Sequence, residues 1–398
     1  MKSDEVSFLL GAGFSKPAGY PLASEINNSF VGLKADEFTI HSDGTAWFQD
    51  GDPLPNDSFM NKKESVFAEK LLDYYVHGVE SQGYFDYEDF YDWYKDLLRG
   101  EEHDSTVESI AADLKRRTRD LLLNFDLTFN QLLADELREW YPAVHKARGL
   151  PRSHANFLEL VDSLASEGLP LHFHSLNHDL FFESLSSTDV MSGELEDGFS
   201  ELGSPFYGRL EVFPDGKDGR FVYKIRLPVF TGHYDSQFNL YKLHGSVDFY
   251  TFNDDGEQRT LRCKRAVRHN ELMKEVGEGV DAEYKEDTTN YHPSFLSGTT
   301  YKTLKYDSTP YYEAVFDHFM RNLESSDVLI VIGYGFGDAE INRMLENYFC
   351  DREGTYMFII DVEKPNVGAS VRCPIDYFSG GVEEFDHTSV LKRVRCKM

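Results

Sequence analysis

Nearly continuous apolar runs, each closed by a turn rich in Gly, Asn or Asp, are the main pattern along the chain. They occur at Val6–Leu10, Leu169–Leu176, Asp327–Ile332 and Met357–Ile360. Strands that are buried on both faces of a sheet show such runs. Segments with apolar residues at three- and four-residue spacing, which is typical of helices, separate them. The alternation predicts an α/β fold, a Rossmann-like doubly wound parallel sheet, in which ligands bind at the carboxyl ends of the strands.

A different pattern fills residues 34–150. A polar stretch with one predicted helix near Lys63–Val76 comes first, and from Glu88 to Trp140 apolar residues such as Leu121, Phe125 and Phe129 recur at helical spacing. We therefore predict a mainly helical insertion at 34–150, with 1–33 and 151–398 forming one Rossmann-like domain. The position of the insertion suits a lid over the site, an assembly surface or both.

The net charge limits the expected partners, and the cysteine spacing limits the expected compartment and metal content. The chain carries 69 acidic and 40 basic side chains, a formal net charge of −29. Like charges repel, so we expect no direct nucleic-acid binding and no membrane binding. No apolar run approaches the roughly 18 residues of a membrane span, and the first residues lack a signal-peptide pattern. None of the four cysteines forms a Cys-x-x-Cys pair, so we expect a cytoplasmic protein without zinc.

Two glycine-rich turns follow predicted strands. The first is Gly11-Ala12-Gly13-Phe14-Ser15, and the second is Gly333-Tyr334-Gly335-Phe336-Gly337-Asp338. Glycines in such turns let the backbone approach a pyrophosphate and present N–H groups to it. The dehydrogenase fingerprint places a third glycine where this chain has Lys16, so the first turn does not match that class. An ordinary tight turn explains Gly-x-Gly as well.

Polar residues follow the other predicted strands. Asn177 and Asp179 come after the strand at 169–176, and His244 precedes Gly245 after a short apolar run. An asparagine can position water or a ribose hydroxyl, and a histidine exchanges protons near neutral pH. Asp361 ends a strand where a Rossmann-like fold places an acidic partner for ribose hydroxyls. Helix capping or a turn is the alternative explanation for Asn177, Asp179 and Asp361.

Taken in order, these motifs resemble those of the sirtuin-like superfamily. The turn at Gly11–Ser15, with Gly19-Tyr20-Pro21 behind it, is similar to the first nucleotide loop of that family. Asn177-x-Asp179 is similar to its Asn-x-Asp element, His244-Gly245 to its catalytic His-Gly pair, and Gly333–Asp338 to its late glycine loop. The resemblance implies a Rossmann-like fold with NAD as substrate.

Two departures separate the chain from the deacylases of that superfamily. Those enzymes continue the first loop with Asp-Phe-Arg, where this chain has Leu22-Ala23-Ser24, and they usually bind zinc through two Cys-x-x-Cys pairs. The chain instead resembles the bacterial branch of NAD glycohydrolases in antiphage defence. That likeness implies a homo-oligomer and a HerA-type hexameric ATPase as a partner.

The resemblance also implies roles for individual residues. Asn177 and His244 are the implied catalytic pair, acting on water or a ribose hydroxyl, with N–H groups from Gly13 onward on the pyrophosphate. The implied cofactor-binding residues are Gly11, Ala12, Gly13, Phe14, Ser15, Pro21, Asp179, Gly333, Tyr334, Asp338 and Asp361. Tyr334 and Asp361 are expected at the adenosine end.

Three alternatives stay open. The chain could bind NAD or ADP-ribose as a sensor or scaffold without catalysis, or act as an NAD-dependent protein deacylase. The third is a metal-dependent hydrolase, because His172-x-His174 is followed by His178 and Asp179 at ligand-like spacing. Ordinary core histidines explain that spacing as well.

Overall fold

The structure is a computed structural model of the chain. It describes residues 5–40, 46–48, 62–79, 85–138, 152–191, 194–212, 221–263, 267–277, 279, 282–287, 293–300, 309–368 and 371–398. The strands are β1 (Val6–Leu10), β2 (Phe38–Ile40), β3 (Ala46–Phe48), β4 (Leu171–Ser175), β5 (Leu195–Glu196), β6 (Phe199–Ser200), β7 (Phe206–Val212), β8 (Phe221–Arg226), β9 (Val229–Phe230), β10 (Phe238–Lys242), β11 (Phe249–Asp254), β12 (Glu257–Arg262), β13 (Val267–Val276), β14 (Glu283–Asp287), β15 (Val328–Ile332), β16 (Tyr356–Asp361) and β17 (Ile375–Ser379). The helices are α1 (Ala12–Ser15), α2 (Ala23–Phe30), α3 (Lys62–Tyr74), α4 (Tyr87–Arg99), α5 (Ser105–Asp113), α6 (Thr118–Arg138), α7 (Ala155–Ala165), α8 (Phe181–Ser184), α9 (Pro310–Ser325), α10 (Ala339–Met344), α11 (Gly381–Glu384) and α12 (His387–Lys397).

A seven-stranded sheet in the order β17-β16-β15-β1-β4-β10-β5 forms the centre of the molecule, and every neighbouring pair is parallel. Alternate residues of β1 enter different cores: Phe8 packs on one face with α7 and α12, and Leu9 packs on the other with α9. Burial on both faces explains why β1, β15 and β16 are almost continuously apolar. The predicted α/β fold, a doubly wound parallel sheet, is confirmed.

The strand order reverses at β1. On one side of β1 lie β4, β10 and β5, and the chain then returns to the other side of β1 for β15, β16 and β17. The carboxyl ends of β1 and β15 therefore lie side by side at the switch point. In open α/β sheets this crevice is where ligands bind.

Helices α3 to α6 build a separate aromatic core within the predicted insertion. Phe67, Phe90, Phe125 and Phe129 are almost fully buried there, together with Phe30 from α2. The helices predicted near Lys63–Val76 and after Glu88 are confirmed, and the paired strands β2 and β3 are an addition that the sequence pattern did not indicate. Residues 139–150 of the insertion lie outside the described residues. Its boundaries stay a prediction.

Two small antiparallel sheets have the strand orders β11-β12-β9-β6 and β14-β13-β7-β8. Their strands come after β5 and before α9 in the sequence. Strand β17, at one edge of the main sheet, was not predicted from the sequence. Among the described helices, none has the length and hydropathy needed to cross a membrane.

Candidate functional site

A cavity of about 1160 Å³ opens along the carboxyl ends of the parallel strands. It is somewhat larger than most small-molecule sites, which span roughly 300–1,000 Å³. The turns after β1, β4, β10, β15, β16 and β17 line it, and Asp86–Glu88 and Leu137 of the insertion close one side. Of the residues predicted for the site, all line this cavity except Phe14 and Ser15. Segments that are distant in the sequence therefore meet at this cavity.

Two glycine loops, which we call the glycine floor, contact each other through their backbones: Gly11–Gly13 after β1 and Gly333–Gly335 after β15. A Cβ on Gly11 would lie 2.5 Å from the Gly333 carbonyl oxygen, and a Cβ on Gly13 would lie 2.7 Å from Gly333 Cα. Gly333 also has a φ of 63°, in the left-handed region. These three glycines are thus required by contact between the loops. At Gly335 a Cβ would meet no atom within 4 Å, which leaves room for a ligand.

Most backbone N–H groups of the glycine floor are already in use. Gly11 donates to the Ile332 carbonyl at 3.0 Å, Gly13 to the Gly333 carbonyl at 3.0 Å, and Phe14 to the Gly11 carbonyl at 2.9 Å. The expected contact of N–H groups from Gly13 onward with a pyrophosphate stays a prediction, and the N–H groups of Gly13 and Phe14 have acceptors within the protein here. Ala12 lines the cavity, and its N–H has no acceptor among the described residues.

Asn177 is fixed from beneath by the first loop. Its Nδ2 donates to the Gly11 carbonyl at 2.9 Å and to Ser15 Oγ at 3.0 Å. Both amide hydrogens are used in this way, which leaves Oδ1 as an acceptor for water or a hydroxyl in the cavity. Ser15 is buried, and it therefore orients Asn177 rather than lining the site.

His244, Thr300 and Asp338, which we call the histidine wall, form a hydrogen-bonded chain. Thr300 Oγ1 lies 3.0 Å from His244 Nε2 and donates to Asp338 Oδ2. The Nε2 atom is itself 3.5 Å from Oδ2, and both side chains are largely buried. A carboxylate that holds one nitrogen of an imidazole is the arrangement that prepares the other nitrogen for proton transfer.

The hydrogen-bond directions assign the histidine tautomer. A threonine hydroxyl has one hydrogen, and Thr300 gives it to Asp338. In its contact with His244 the same oxygen therefore accepts, so Nε2 carries a hydrogen. In the neutral imidazole Nδ1 then keeps the lone pair, and it has no hydrogen-bond partner in the part of the chain that the structure describes. The ring nitrogen left with a free lone pair is therefore Nδ1.

Asp338 is ionised across the ordinary pH range. Burial alone would raise its pKa, but the hydrogen bond and charge of His244, with further hydrogen bonds from Thr300 and the Ile341 N–H, lower it to about 2. Its Oδ1 caps α10 by accepting the N–H groups of Glu340 and Ile341 at 2.9 and 3.1 Å. Because both oxygens are occupied within the protein, the geometry supports a role in orienting His244 rather than the predicted contact with a cofactor.

Gly245 explains why a glycine must follow His244. Its φ is 75°, and a Cβ there would lie 2.6 Å from the Ser294 carbonyl oxygen and 2.9 Å from Phe295 Cα. The Leu296 N–H donates to the His244 carbonyl at 2.8 Å, so the 293–300 segment is tied to the turn after β10. This close approach brings Thr300 to the imidazole.

Asp179 is buried beneath the cavity surface. Burial raises the pKa of its carboxyl, opposed by the charge of Lys242 and by hydrogen bonds from the Phe181 N–H and Ser15. The Phe181 N–H lies 2.8 Å from Asp179 Oδ1, as in a helix-initiating turn. Lys242, also buried, donates to the Asp179 carbonyl and lies 3.4 Å from Glu183. These contacts fix the turn after β4.

The remaining predicted residues fall into two groups. Pro21, Tyr334 and Asp361 line the cavity, and burial raises the pKa of both Tyr334 and Asp361. The Tyr334 hydroxyl donates to Asn342 Oδ1 at 3.0 Å, so its polar atom is held by α10. Phe14 differs, because its ring packs in the core against Phe157 with ring centres 4.9 Å apart. Its predicted part in cofactor binding therefore does not involve its side chain.

Sequence reasoning missed Thr300 and Glu88, and it considered His178 only as a metal ligand, yet all three line the cavity. Thr300 and Glu88 do not follow any strand predicted from the sequence, so no strand-end signal marked them. His178 stands between two predicted residues, and its ring centre lies 6.0 Å from that of His244. Burial lowers the pKa of His178 well below its usual value, which keeps the ring neutral beside His244.

The two strand histidines that a metal-dependent hydrolase would use, His172 and His174, both contact Tyr241. His174 stacks on Tyr241 with ring centres 4.8 Å apart, and His172 lies 3.3 Å from the Tyr241 hydroxyl, on the face of β4 that meets α9. Within the described ranges no group of three or more His, Cys, Asp or Glu side chains is arranged to hold a metal ion.

Comparisons with known proteins give likenesses of overall shape only. No family model and no curated protein matches the chain. Among solved structures, a Sir2 homologue in complex with NAD is 14% identical, with a TM-score of 0.37, over 99% of this chain and 90% of that chain. A mutant Sir2 homologue with 2′-O-acetyl ADP ribose is 14% identical, with a TM-score of 0.38, over 99% and 93% of the two chains.

A further mutant Sir2 homologue, in complex with ADP ribose, is 12% identical, with a TM-score of 0.40, over 99% of this chain and 93% of that chain. All three TM-scores lie below 0.5. The function proposed below therefore rests on the geometry of the chain itself and on its ordered motifs.

Proposed function

We propose that this chain is a sirtuin-like NAD⁺ glycohydrolase, which cleaves the bond between nicotinamide and ribose. The observation that carries the proposal is the meeting of Asn177 and the histidine wall at one cavity whose floor is made by two glycine loops. The cavity lies at the switch point of a doubly wound sheet, where such folds bind nucleotides. The ordered set of motifs independently resembles that of the sirtuin-like superfamily.

The geometry supports a division of labour between two side chains. Asn177 Oδ1 accepts a hydrogen from the attacking water and so fixes its oxygen, while His244 Nδ1 takes a proton from it. The ionised Asp338, acting through Thr300, stabilises the imidazolium that forms. Each effect strengthens as charge develops in the transition state, which resembles an oxocarbenium ion.

The reaction balances without an acid for the leaving group. The water oxygen forms a bond to C1′ of the ribose as the bond from C1′ to the pyridinium nitrogen breaks. The electron pair of that bond leaves with the nitrogen, so nicotinamide departs as a neutral molecule. The products are nicotinamide, ADP-ribose and one proton, which passes from His244 to solvent.

We place this activity in cytoplasmic antiphage defence, where depletion of NAD⁺ halts an infected cell, and in a homo-oligomer partnered by a HerA-type hexameric ATPase. Two features support this. The first loop continues as Leu22-Ala23-Ser24 and not as the Asp-Phe-Arg of deacylases. The net charge of −29 favours association with a partner that presents a basic face.

The test separates hydrolysis from deacylation. The chain, alone and co-purified with a HerA-type ATPase, is incubated with NAD⁺ in the presence and absence of an acetyl-lysine peptide. We expect nicotinamide and ADP-ribose in equal amounts without peptide. Release of nicotinamide only when the peptide is present would show a deacylase and overturn the proposal.

A further inference from the structure

Glu88 lies on the side of the cavity that the helical insertion supplies. It is the second residue of α4 and lines the cavity beside Asp86 and Tyr87. The chemistry proposed above does not use it, and no motif in the sequence singles it out. A carboxyl group that lines a nucleotide-sized cavity nevertheless affects which ligands bind there.

Hydrogen bonds hold this corner of the insertion against the Rossmann-like part. The Tyr87 N–H donates to Asn27 Oδ1 of α2 at 2.9 Å, and Asp86 Oδ1 accepts the Glu88 N–H at 2.9 Å. The Tyr87 hydroxyl donates to Glu88 Oε1 at 3.3 Å. The carboxyl of Glu88 is therefore a fixed part of the site.

The surroundings of Glu88 are acidic. Burial, together with the charges of Asp86, Asp338 and Asp89, raises its pKa to about 8 against one opposing hydrogen bond from Tyr87. The charge of Glu88 also contributes to the raised pKa of Tyr334, which lines the same cavity. Asp338, by contrast, has its pKa lowered to about 2 by the histidine wall. Two carboxyl groups that line one cavity therefore have opposite pKa shifts, because Asp338 is paired with His244 whereas Glu88 is near other acids.

We propose that Glu88 recognises the positively charged pyridinium ring of the substrate and so selects NAD⁺ over NADH. This inference rests on the proposed function of the same cavity. A half-buried acid near other acids gains most from a ligand that brings a positive charge. The pyridinium of NAD⁺ brings one, whereas the dihydronicotinamide of NADH and the free ribose of ADP-ribose do not.

Proton linkage follows from this arrangement. Near pH 7 the free protein holds Glu88 protonated, and a cation beside it favours the carboxylate, so binding releases a proton. Affinity for the cationic ligand therefore rises with pH until the pH passes about 8. NADH and ADP-ribose bring no positive charge to Glu88, so their binding does not release its proton. The pH dependence of their affinity comes only from other titrating groups of the cavity.

The experiment compares three ligands by calorimetry at pH 6.5 and 8.5. They are carbocyclic NAD⁺, which keeps the pyridinium but resists cleavage, NADH and ADP-ribose. In the wild-type chain we expect the affinity for carbocyclic NAD⁺, relative to ADP-ribose, to rise about tenfold between the two pH values. Glu88→Gln, a neutral residue of the same shape, should abolish that rise and leave the ADP-ribose affinity within about twofold.

Glu101→Gln is the matched control, because Glu101 is an exposed acid just beyond the far end of α4. It should keep the wild-type pH dependence. Equal affinities for NAD⁺ and NADH analogues that do not change with pH, in a chain that binds ADP-ribose, would overturn this inference and leave the proposed function standing. Failure of all three ligands to bind would overturn both.

Discussion

The glycine floor and the histidine wall line the same cavity, yet the chain builds them in different ways. The floor brings together two turns that each follow a strand directly, and strand pairing places the ends of β1 and β15 side by side. The wall joins His244 after β10, Thr300 after a long excursion, and Asp338 at a helix cap. The floor is thus a product of sheet topology, and the wall is a product of side-chain hydrogen bonds between distant segments.

The glycine floor therefore determines the shape of the cavity, whereas the histidine wall determines how one reactive side chain is held. The floor sets where a ligand can lie, because its glycines leave no room for side chains between the loops. The wall sets the orientation of one imidazole through its hydrogen bonds. Damage to the floor should therefore reduce folding and binding together, whereas damage to the wall should reduce turnover in a protein that folds normally.

Removal of the reactive groups themselves should have the largest effect. His244→Ala and Asn177→Ala should each lower NAD⁺ hydrolysis by about 10²-fold or more, because proton transfer and water positioning are lost. Nicotinamide release, measured by chromatography on variants with wild-type circular dichroism, checks this. Turnover like that of the wild type in either variant contradicts the assignment.

A methyl group in the glycine floor should act on stability. Gly333→Ala forces a Cβ into the backbone of the first loop at a φ of 63°, and we expect it to lower the free energy of unfolding by about 2 kcal/mol or more. Gly335→Ala is the matched control, since nothing lies within 4 Å of its Cβ position. Denaturant unfolding of both variants tests the comparison, and equal stabilities would show that the floor is not tightly packed.

Thr300→Val should break the wall without disturbing the floor. The valine keeps the shape of threonine but removes the hydroxyl that links His244 to Asp338. We expect kcat to fall about tenfold, with KM nearly unchanged, because the hydroxyl orients the general base, whose whole contribution is typically 10²–10⁴-fold. Steady-state kinetics on NAD⁺ measures the two constants separately. A rise in KM alone would assign Thr300 to substrate binding instead.

The smallest effect concerns the charge at the rim of the floor. Lys16 lines the cavity and pairs with Glu25 at 2.5 Å, and both side chains are partly exposed. Lys16→Ala should weaken binding of ADP-ribose about threefold at low salt, and less at high salt, because exposed charges are screened. Lys34→Ala, which removes a lysine paired with Glu69 outside the cavity, serves as control. Equal weakening by both variants would point to net charge alone.

Low pH should remove the stability that the histidine wall contributes, over a defined pH range. The pKa of Asp338 is about 2 in the folded chain, below its usual value of 3.8. A lowered pKa contributes stability that is full above the ordinary value and is lost as the pH falls through about 2. Asp338→Asn should therefore flatten the acid limb of the stability profile, measured by thermal unfolding from pH 5 downward. An unchanged acid limb would show that the carboxylate is not held by His244.

The sequence predicted the floor better than the wall, for a physical reason. Strand burial and glycine turns are local signals, so β1, β4, β15, β16 and the turns after them could be found. Thr300 and Glu88 reach the cavity only through tertiary contacts, which leave no spacing to recognise. Phe14 stands in a motif whose backbone matters, and its side chain serves the core.

The most direct test of the central claim is the fate of NAD⁺ in the presence of the chain and a co-purified HerA-type ATPase, with the His244→Ala variant of the same complex as the blank. We predict that the wild-type complex converts NAD⁺ to nicotinamide and ADP-ribose in equal amounts, while the variant binds ADP-ribose and leaves NAD⁺ intact. Intact NAD⁺ with both proteins, together with tight binding of ADP-ribose, would contradict the account and identify a sensor.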